Sequence, residues 1–375
     1  MPGLLRRRAW LAGAGAVGML AGCAPYGLLT YRPDDPPLVT LPLALAGVRD
    51  GRRDFARLFQ RELLAARPGG RAEDWLHGVA GPLQHDTPWL QAIDARFAAR
   101  RAATSVLLVP GLFGDCVDDQ SVPFGDGVRC PRQRQHDEAY GAYADLGLHG
   151  IRMLPLPGRA ASGPNGQRLA AAIRAEAARP GVTRLVIVGY SKGAVDAQAA
   201  LVELHSAGSL PPRLALVSVA GPVLGTPLAD HFQDLYDAVS PRVDPFGCSA
   251  SDGHELASIT RRERLRWLHT HAPVPGPSYH SVVAWAAADE MAPPLRASHA
   301  LLRRIDPRND GQVLAADAVL PGSTLLAAAR SDHWDLALPR NRHPDAWVRA
   351  LTSGRDYPRE ALLRAILYWV IGEPP

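Results

Sequence analysis

Cysteine is scarce and ungrouped in this sequence: four occur in 375 residues, at Cys23, Cys116, Cys130 and Cys248. Neither they nor the thirteen histidines fall at metal-ligand spacing, so no metal site is expected and nothing implies a cofactor. Aromatics make up only 6% of the chain, and no basic stripe with interleaved aromatics occurs, which argues against a nucleic-acid partner. The formal net charge of +4 does not alter this. Taking away the charges of Arg6, Arg7 and Arg8, which lie in a segment expected to be removed, leaves +1. The apolar run Trp10 to Leu20 is too short to span a bilayer comfortably. No internal repeat is visible, so one domain with one insertion is the simplest count.

What is present begins with an address. Arg6 to Arg8 form a positive n-region, and Trp10 to Leu20 an apolar h-region. Leu20-Ala21-Gly22-Cys23 then resembles the bacterial lipobox. That resemblance implies a signal peptide over residues 1–22, cleavage before Cys23, and lipidation of Cys23. Acyl chains there hold a protein at a membrane surface without a transmembrane helix. Ala24, rather than aspartate, follows the cysteine, which points to the outer membrane of the cell envelope. Residues 23–45 read as an anchor and spacer rich in proline (Pro25, Pro33, Pro36, Pro37, Pro42). In an exported protein a disulfide is permitted. Cys116 and Cys130 flank a Gly/Asp-rich loop and are the expected pair, with Cys248 as the alternative partner of either.

Hydrophobic residues, 47% of the chain, suffice for a large core. Residues 51–66 place Phe55, Leu58, Phe59, Leu63 and Leu64 at helical spacing, an amphipathic helix expected to pack on the main domain. Residues 89–102 read as a second helix. Alternation follows: a strand at 105–109, a strand at 151–155, an alanine-rich helix at 167–179, and a strand from 184 running into a helix after Gly193. Further strands are expected at 214–219, 281–286 and 324–328, and a closing helix at 357–371. Strands alternating with helices predict a mostly parallel sheet covered on both faces. Residues 229–279 break the alternation and read as a cap- or lid-like insertion, within a main domain spanning 46–375.

The chain is organised around Gly189-Tyr190-Ser191-Lys192-Gly193, a G-x-S-x-G placed between an apolar strand and a helix. In that setting a serine sits on a strained turn, its hydroxyl clear of the sheet and at the positive end of the helix. A serine hydroxyl needs a base, and the base an orienting acid. The acid is expected at the end of a late strand, where Asp289 stands with Glu290 as its immediate rival. The histidine is expected after the last strand, at His333, with His343 as runner-up and His299 read as helical. Asp332 adjoins His333, but consecutive side chains rarely converge. Asp310, in Asn309-Asp310-Gly311, reads as a turn aspartate. A developing oxyanion needs preorganised N–H donors. These are expected from the backbone of Lys192 and from Leu112, or else Phe113, in the loop Pro110-Gly111-Leu112-Phe113-Gly114. The Lys192 side chain reads as a solvated or structurally paired ammonium, with contact to an anionic substrate group as the other reading.

Together Gly111 to Gly114, the Ser191 elbow, Asp289 and His333 resemble the α/β-hydrolase superfamily. Residues 220–230, AGPVLGTPLAD, look like the segment after the strand beyond the nucleophile in bacterial lipases. Residues 309–313, NDGQV, are similar to a segment those lipases carry before the catalytic histidine. The likeness spans roughly residues 103–336, and Lys192 departs from it by replacing an apolar or neutral residue. It implies an α/β-hydrolase fold and hydrolysis of a carboxylic ester by a Ser191–His333–Asp289 triad; lipid or other acyl esters are expected because the anchor at Cys23 would place the enzyme at a bilayer. Acyl transfer to an alcohol, or a non-catalytic hydrolase-like binding lipoprotein, are the alternatives.

Overall fold

The computed structural model describes residues 46–79, 83, 87–115, 122–125, 136–239 and 251–374. The expectations for the leader, Cys23, the spacer and Cys116, Cys130 and Cys248 lie outside the described residues.

Among the described residues, seven strands make one sheet: β1 (Arg49–Asp50), β2 (Thr104–Val109), β3 (Gly150–Met153), β4 (Arg184–Tyr190), β5 (Leu214–Val219), β6 (Ser278–Ala284) and β7 (Thr324–Ala329). Their order is β1-β7-β6-β5-β4-β2-β3, and every neighbouring pair is parallel. A parallel sheet is buried on both faces, so its strands must be apolar at consecutive positions. β4 obeys this. Val186 and Val188 point into one core cluster, Leu185 and Ile187 into another.

The helices are α1 (Arg52–Ala66), α2 (Pro88–Arg100), α3 (Ser162–Ala177), α4 (Lys192–Ser206), α5 (Pro227–Val239), α6 (Arg261–Thr270), α7 (Arg296–Leu302), α8 (Ala346–Arg349) and α9 (Arg359–Gly372). α1, α2 and α9 cover the first face through Phe55, Leu58, Phe59, Ile93, Phe97, Leu362 and Ile366. The amphipathic segment at the start of the described chain is thus part of the main core. α3 and α4 cover the second face through Leu169, Ile173, Ala197 and Leu201. Caps set the helix starts: Thr87 accepts from Leu90 N at 3.3 Å ahead of α2, and Thr260 from Glu263 N at 3.2 Å ahead of α6.

Most boundaries shift by one or two residues from the sequence reading, and three differences are larger or new. β6 runs over 278–284 rather than 281–286. α3 begins at Ser162, five residues early, because Pro164 lies in the first turn, where its missing N–H is no loss. The two-residue β1, too short to carry a periodic signal, pairs with β7 at the sheet edge. The region expected as an insertion separates β5 from β6. Its described parts carry α5, which starts at Pro227, and α6.

The strand order positions the site. The chain leaves β2 toward β3 on one side, then returns to β4 on the other side of β2. Connections leaving neighbouring strands in opposite directions open a crevice at their carboxyl ends. Ser191 follows β4 there, and Pro110-Gly111-Leu112 follows β2.

Candidate active site

Ser191 has φ 53° and ψ −131°, in the half of backbone space that L-residues avoid. Two glycines make this turn sterically feasible. A Cβ on Gly189 would lie 2.5 Å from Ala194 Cα, and one on Gly193 would lie 2.4 Å from the Val109 carbonyl oxygen. The serine is 9% exposed and starts α4, whose first N–H groups face it.

His333 follows β7 in a turn and is 2% exposed. Its Nε2 lies 2.9 Å from Ser191 Oγ, and its Nδ1 lies 2.7 Å from Asp310 Oδ2. The structure therefore brings Ser191 and His333 together, but the carboxylate behind the imidazole is Asp310, not Asp289. Asp289 is exposed on the single turn Ala288–Glu290. The physical reason is that β6 ends at Ala284, so the chain has left the sheet edge before it reaches the carboxylate. Glu290, its rival, is engaged elsewhere, with Arg355 at 2.5 Å and Arg330 at 3.4 Å. His299 is buried on α7, and His343 accepts from Asp345 N at 3.0 Å.

Asp310 is a turn aspartate as well as the histidine's partner. Its Oδ1 accepts from Gln312 N at 2.8 Å and Val313 N at 2.7 Å, while Oδ2 remains for the imidazole. Gly311 takes φ +89°, which lets the loop fold back tightly, and Asn309 Oδ1 accepts from Gly311 N at 3.0 Å. The backbone closes the unit, with His333 N donating to Asp310 O at 2.9 Å.

Two further side chains hold the imidazole, and the sequence reading missed both roles. Tyr190 donates its hydroxyl to His333 O at 2.7 Å. Burial holds that phenol far above its usual range, so it remains a donor. Asp332 accepts from Ala292 N at 2.7 Å, Trp334 N at 3.0 Å and Asp335 N at 2.8 Å, which pins the turn carrying His333. Burial, and then the neighbouring charge of Asp335, push the Asp332 carboxyl up.

Opposite the serine lies the loop after β2. A Cβ on Gly111 would sit 2.8 Å from Ser191 Cβ, so only glycine lets the loop come this near. Phe113 N donates to Gly158 O at 3.2 Å, so its N–H is engaged within the fold. That favours Leu112 over Phe113 as the donor on this loop, with the Lys192 N–H on the other side. The Lys192 side chain is 1% exposed and pairs with Asp196 at 2.7 Å, so the ammonium is structurally paired rather than solvated. Among the described residues, no group of three His, Cys, Asp or Glu side chains is placed to hold a metal ion.

The fold has a counterpart among solved structures. A metagenomic carboxyl esterase is 31% identical, with a TM-score of 0.68 over 89% of this chain and 96% of its own. The chain belongs to the α/β-hydrolase superfamily. The mature form of a Bacillus licheniformis lipase is more distant, at 20% identity and a TM-score of 0.46 over 68% of this chain and 89% of that one. No family model and no curated protein matches the sequence. In this α/β hydrolase the elbow thus follows β4 and the histidine follows β7 of one parallel sheet.

Proposed function

We propose that the chain hydrolyses carboxylic esters with Ser191 as nucleophile, His333 as general base and acid, and Asp310 as the orienting carboxylate. The observation that carries this reading is the unbroken line Ser191 Oγ–His333–Asp310, with links of 2.9 and 2.7 Å. Ser191 Oγ attacks the acyl carbonyl while His333 Nε2 takes its proton. Asp310 keeps the Nδ1 proton in place and stabilises the imidazolium. The tetrahedral oxyanion accepts from the Leu112 and Lys192 N–H groups. Its collapse breaks the bond to the alcohol, which leaves with the proton from His333. Water, deprotonated by the same histidine, then releases the acid and restores the serine. The deciding experiment is Ser191→Ala. Hydrolysis of a p-nitrophenyl ester should fall by a factor on the order of 10⁴ or more, and a fluorophosphonate probe should label the wild-type protein at Ser191 and leave the variant unlabelled. Unchanged hydrolysis overturns the assignment.

The proposal extends to location and substrate class. Arg6 to Arg8, the apolar run Trp10 to Leu20 and Leu20-Ala21-Gly22-Cys23 support a mature chain that begins at a lipidated Cys23 in the bacterial cell envelope, at the outer membrane. An enzyme held at a bilayer meets lipid and other acyl esters first. Expression in a bacterial host should yield an acylated N-terminal Cys23 by mass spectrometry, and Cys23→Ala should move the protein out of the membrane fraction.

A further inference from the structure

The proposed mechanism uses the backbone of Lys192 and leaves its side chain without a part. That side chain is nevertheless costly. Lys192 and Asp196 are 1% and 2% exposed, and moving two charges out of water offsets most of what their attraction gains. A buried ion pair is therefore poor evidence of stabilisation. What it leads to can be followed atom by atom. Lys192 Nζ donates to Asp196 Oδ1 at 2.7 Å. The other oxygen, Asp196 Oδ2, accepts from Asn165 Nδ2 at 2.9 Å. Asn165 Nδ2 also donates to Pro157 O, at 3.0 Å. The next residue, Gly158, accepts Phe113 N–H through its carbonyl at 3.2 Å and donates its own N–H to Asp115 Oδ1 at 2.8 Å. Phe113 adjoins Leu112. The chain of contacts thus starts on the residue after the nucleophile, crosses from α4 to α3, and ends on the loop carrying the second N–H donor.

Close packing supports each crossing. Gly166 on α3 faces Ala199 on α4, where a Cβ would come within 2.7 Å, so the helices approach closely enough for Asn165 to reach Asp196. Gly158 lies against the loop after β2, where a Cβ would meet Gly114 N at 2.5 Å. Asn165 is 1% exposed, so water does not compete for its amide.

We propose that Lys192, Asp196 and Asn165 are positioning residues that hold the two oxyanion donors, the N–H groups of Lys192 and Leu112, at a fixed separation; this rests on the ester-hydrolase reading above. None of the three side chains touches the reacting atoms. They act through the backbone of residues 157–158 and 113, and the ion pair presents no net charge to the oxyanion. Donors aimed beforehand at the developing charge need no rearrangement during the reaction.

The test uses Asn165→Leu, which cuts the link between Asp196 and Pro157 at similar volume and leaves the ion pair in place. Active sites are counted by fluorophosphonate titration, so that partial unfolding is removed from the rate. Per titrated site, kcat/KM for p-nitrophenyl butyrate should fall about 10-fold, less than the 10²–10³ seen when a donor is lost outright. The inhibition constant of phenylboronic acid, a mimic of the tetrahedral state, should rise by the same factor. The acid limb of the pH–rate profile should stay where it is, since His333 and Asp310 are untouched. The second variant, Lys192→Met with Asp196→Leu, replaces the pair by apolar groups, a change that folded proteins often tolerate. It should melt cooperatively and remain about 10-fold slow, and it decides the matter if Asn165→Leu does not fold. A folded variant with kcat/KM per site and boronate affinity within twofold of wild type overturns the proposal. A wild-type protein that neither turns over the ester nor takes the probe overturns the ester-hydrolase reading instead, and this proposal with it.

Discussion

His333 Nδ1 lies 2.7 Å from Asp310 Oδ2 across 23 residues of sequence, and the same carboxylate holds its own turn together with the other oxygen. One side chain therefore builds the loop and orients the imidazole. A loop aspartate and a functional aspartate are not alternatives at this position.

The two candidate acids separate by mutation. Asp310→Asn should lower kcat for p-nitrophenyl butyrate by about 10³–10⁴, because the amide favours the wrong imidazole tautomer. Asp289→Asn should leave kcat within twofold, since Asp289 is exposed on its turn. Equal losses in the two variants would refute the pairing.

Gly111→Ala tests the approach of the loop after β2 to the nucleophile. The added methyl would lie 2.8 Å from Ser191 Cβ and 3.2 Å from its Oγ. A displacement on the order of 1 Å can cost about 10²-fold in rate, and that loss is expected in kcat/KM alongside a retained cooperative melt. Wild-type kinetics from the alanine variant would mean the loop gives way freely.

Acid should weaken the fold through His280. Burial, with a smaller contribution from Arg49, pulls this imidazole from 6.5 down to about 3. Glu373, 3.4 Å away, would pull the other way, but burial raises its own carboxyl, so it loses its charge early on acidification. With the folded pKa depressed below the unfolded one, the unfolded chain binds the extra proton. Stability is then whole above pH 6.5 and is lost as pH falls toward 3, by up to about 1.4 kcal/mol per pH unit. His280→Gln should flatten the change in urea midpoint between pH 7 and pH 5. An unaltered pH dependence would show that other groups dominate.

Phe59 measures how firmly α1 belongs to the core. It is fully buried in the cluster shared with α9 and β4, so Phe59→Ala should destabilise by about 3–5 kcal/mol. Urea denaturation followed by tryptophan fluorescence reads this directly. A change below about 1 kcal/mol would mean that α1 is a detachable leader helix.

Local chemistry was legible in the order of residues. The apolar runs of β2, β4 and β5, the helical spacing of α1 and α9, and the glycines around Ser191 announced the parallel sheet, its covering helices and the elbow. Each of these depends on contacts within a few residues or on one repeated spacing. The loop position of His333 was legible for the same reason, since it follows a clear strand. The choice between Asp289 and Asp310 was not, although residues 309–313 resemble the lipase segment that precedes the catalytic histidine. It depended on where β6 stops and on which of two distant loops folds back across the sheet edge, and neither leaves a period in the sequence. Lys192 shows the same division. Its place after the nucleophile is a fact of sequence, but its burial against Asp196, and the line from there through Asn165 to the loop after β2, exist only because α3 and α4 pack closely at Gly166. Periodicity decides which elements form. Only the packing of those elements decides which side chains, remote along the chain, share a hydrogen bond.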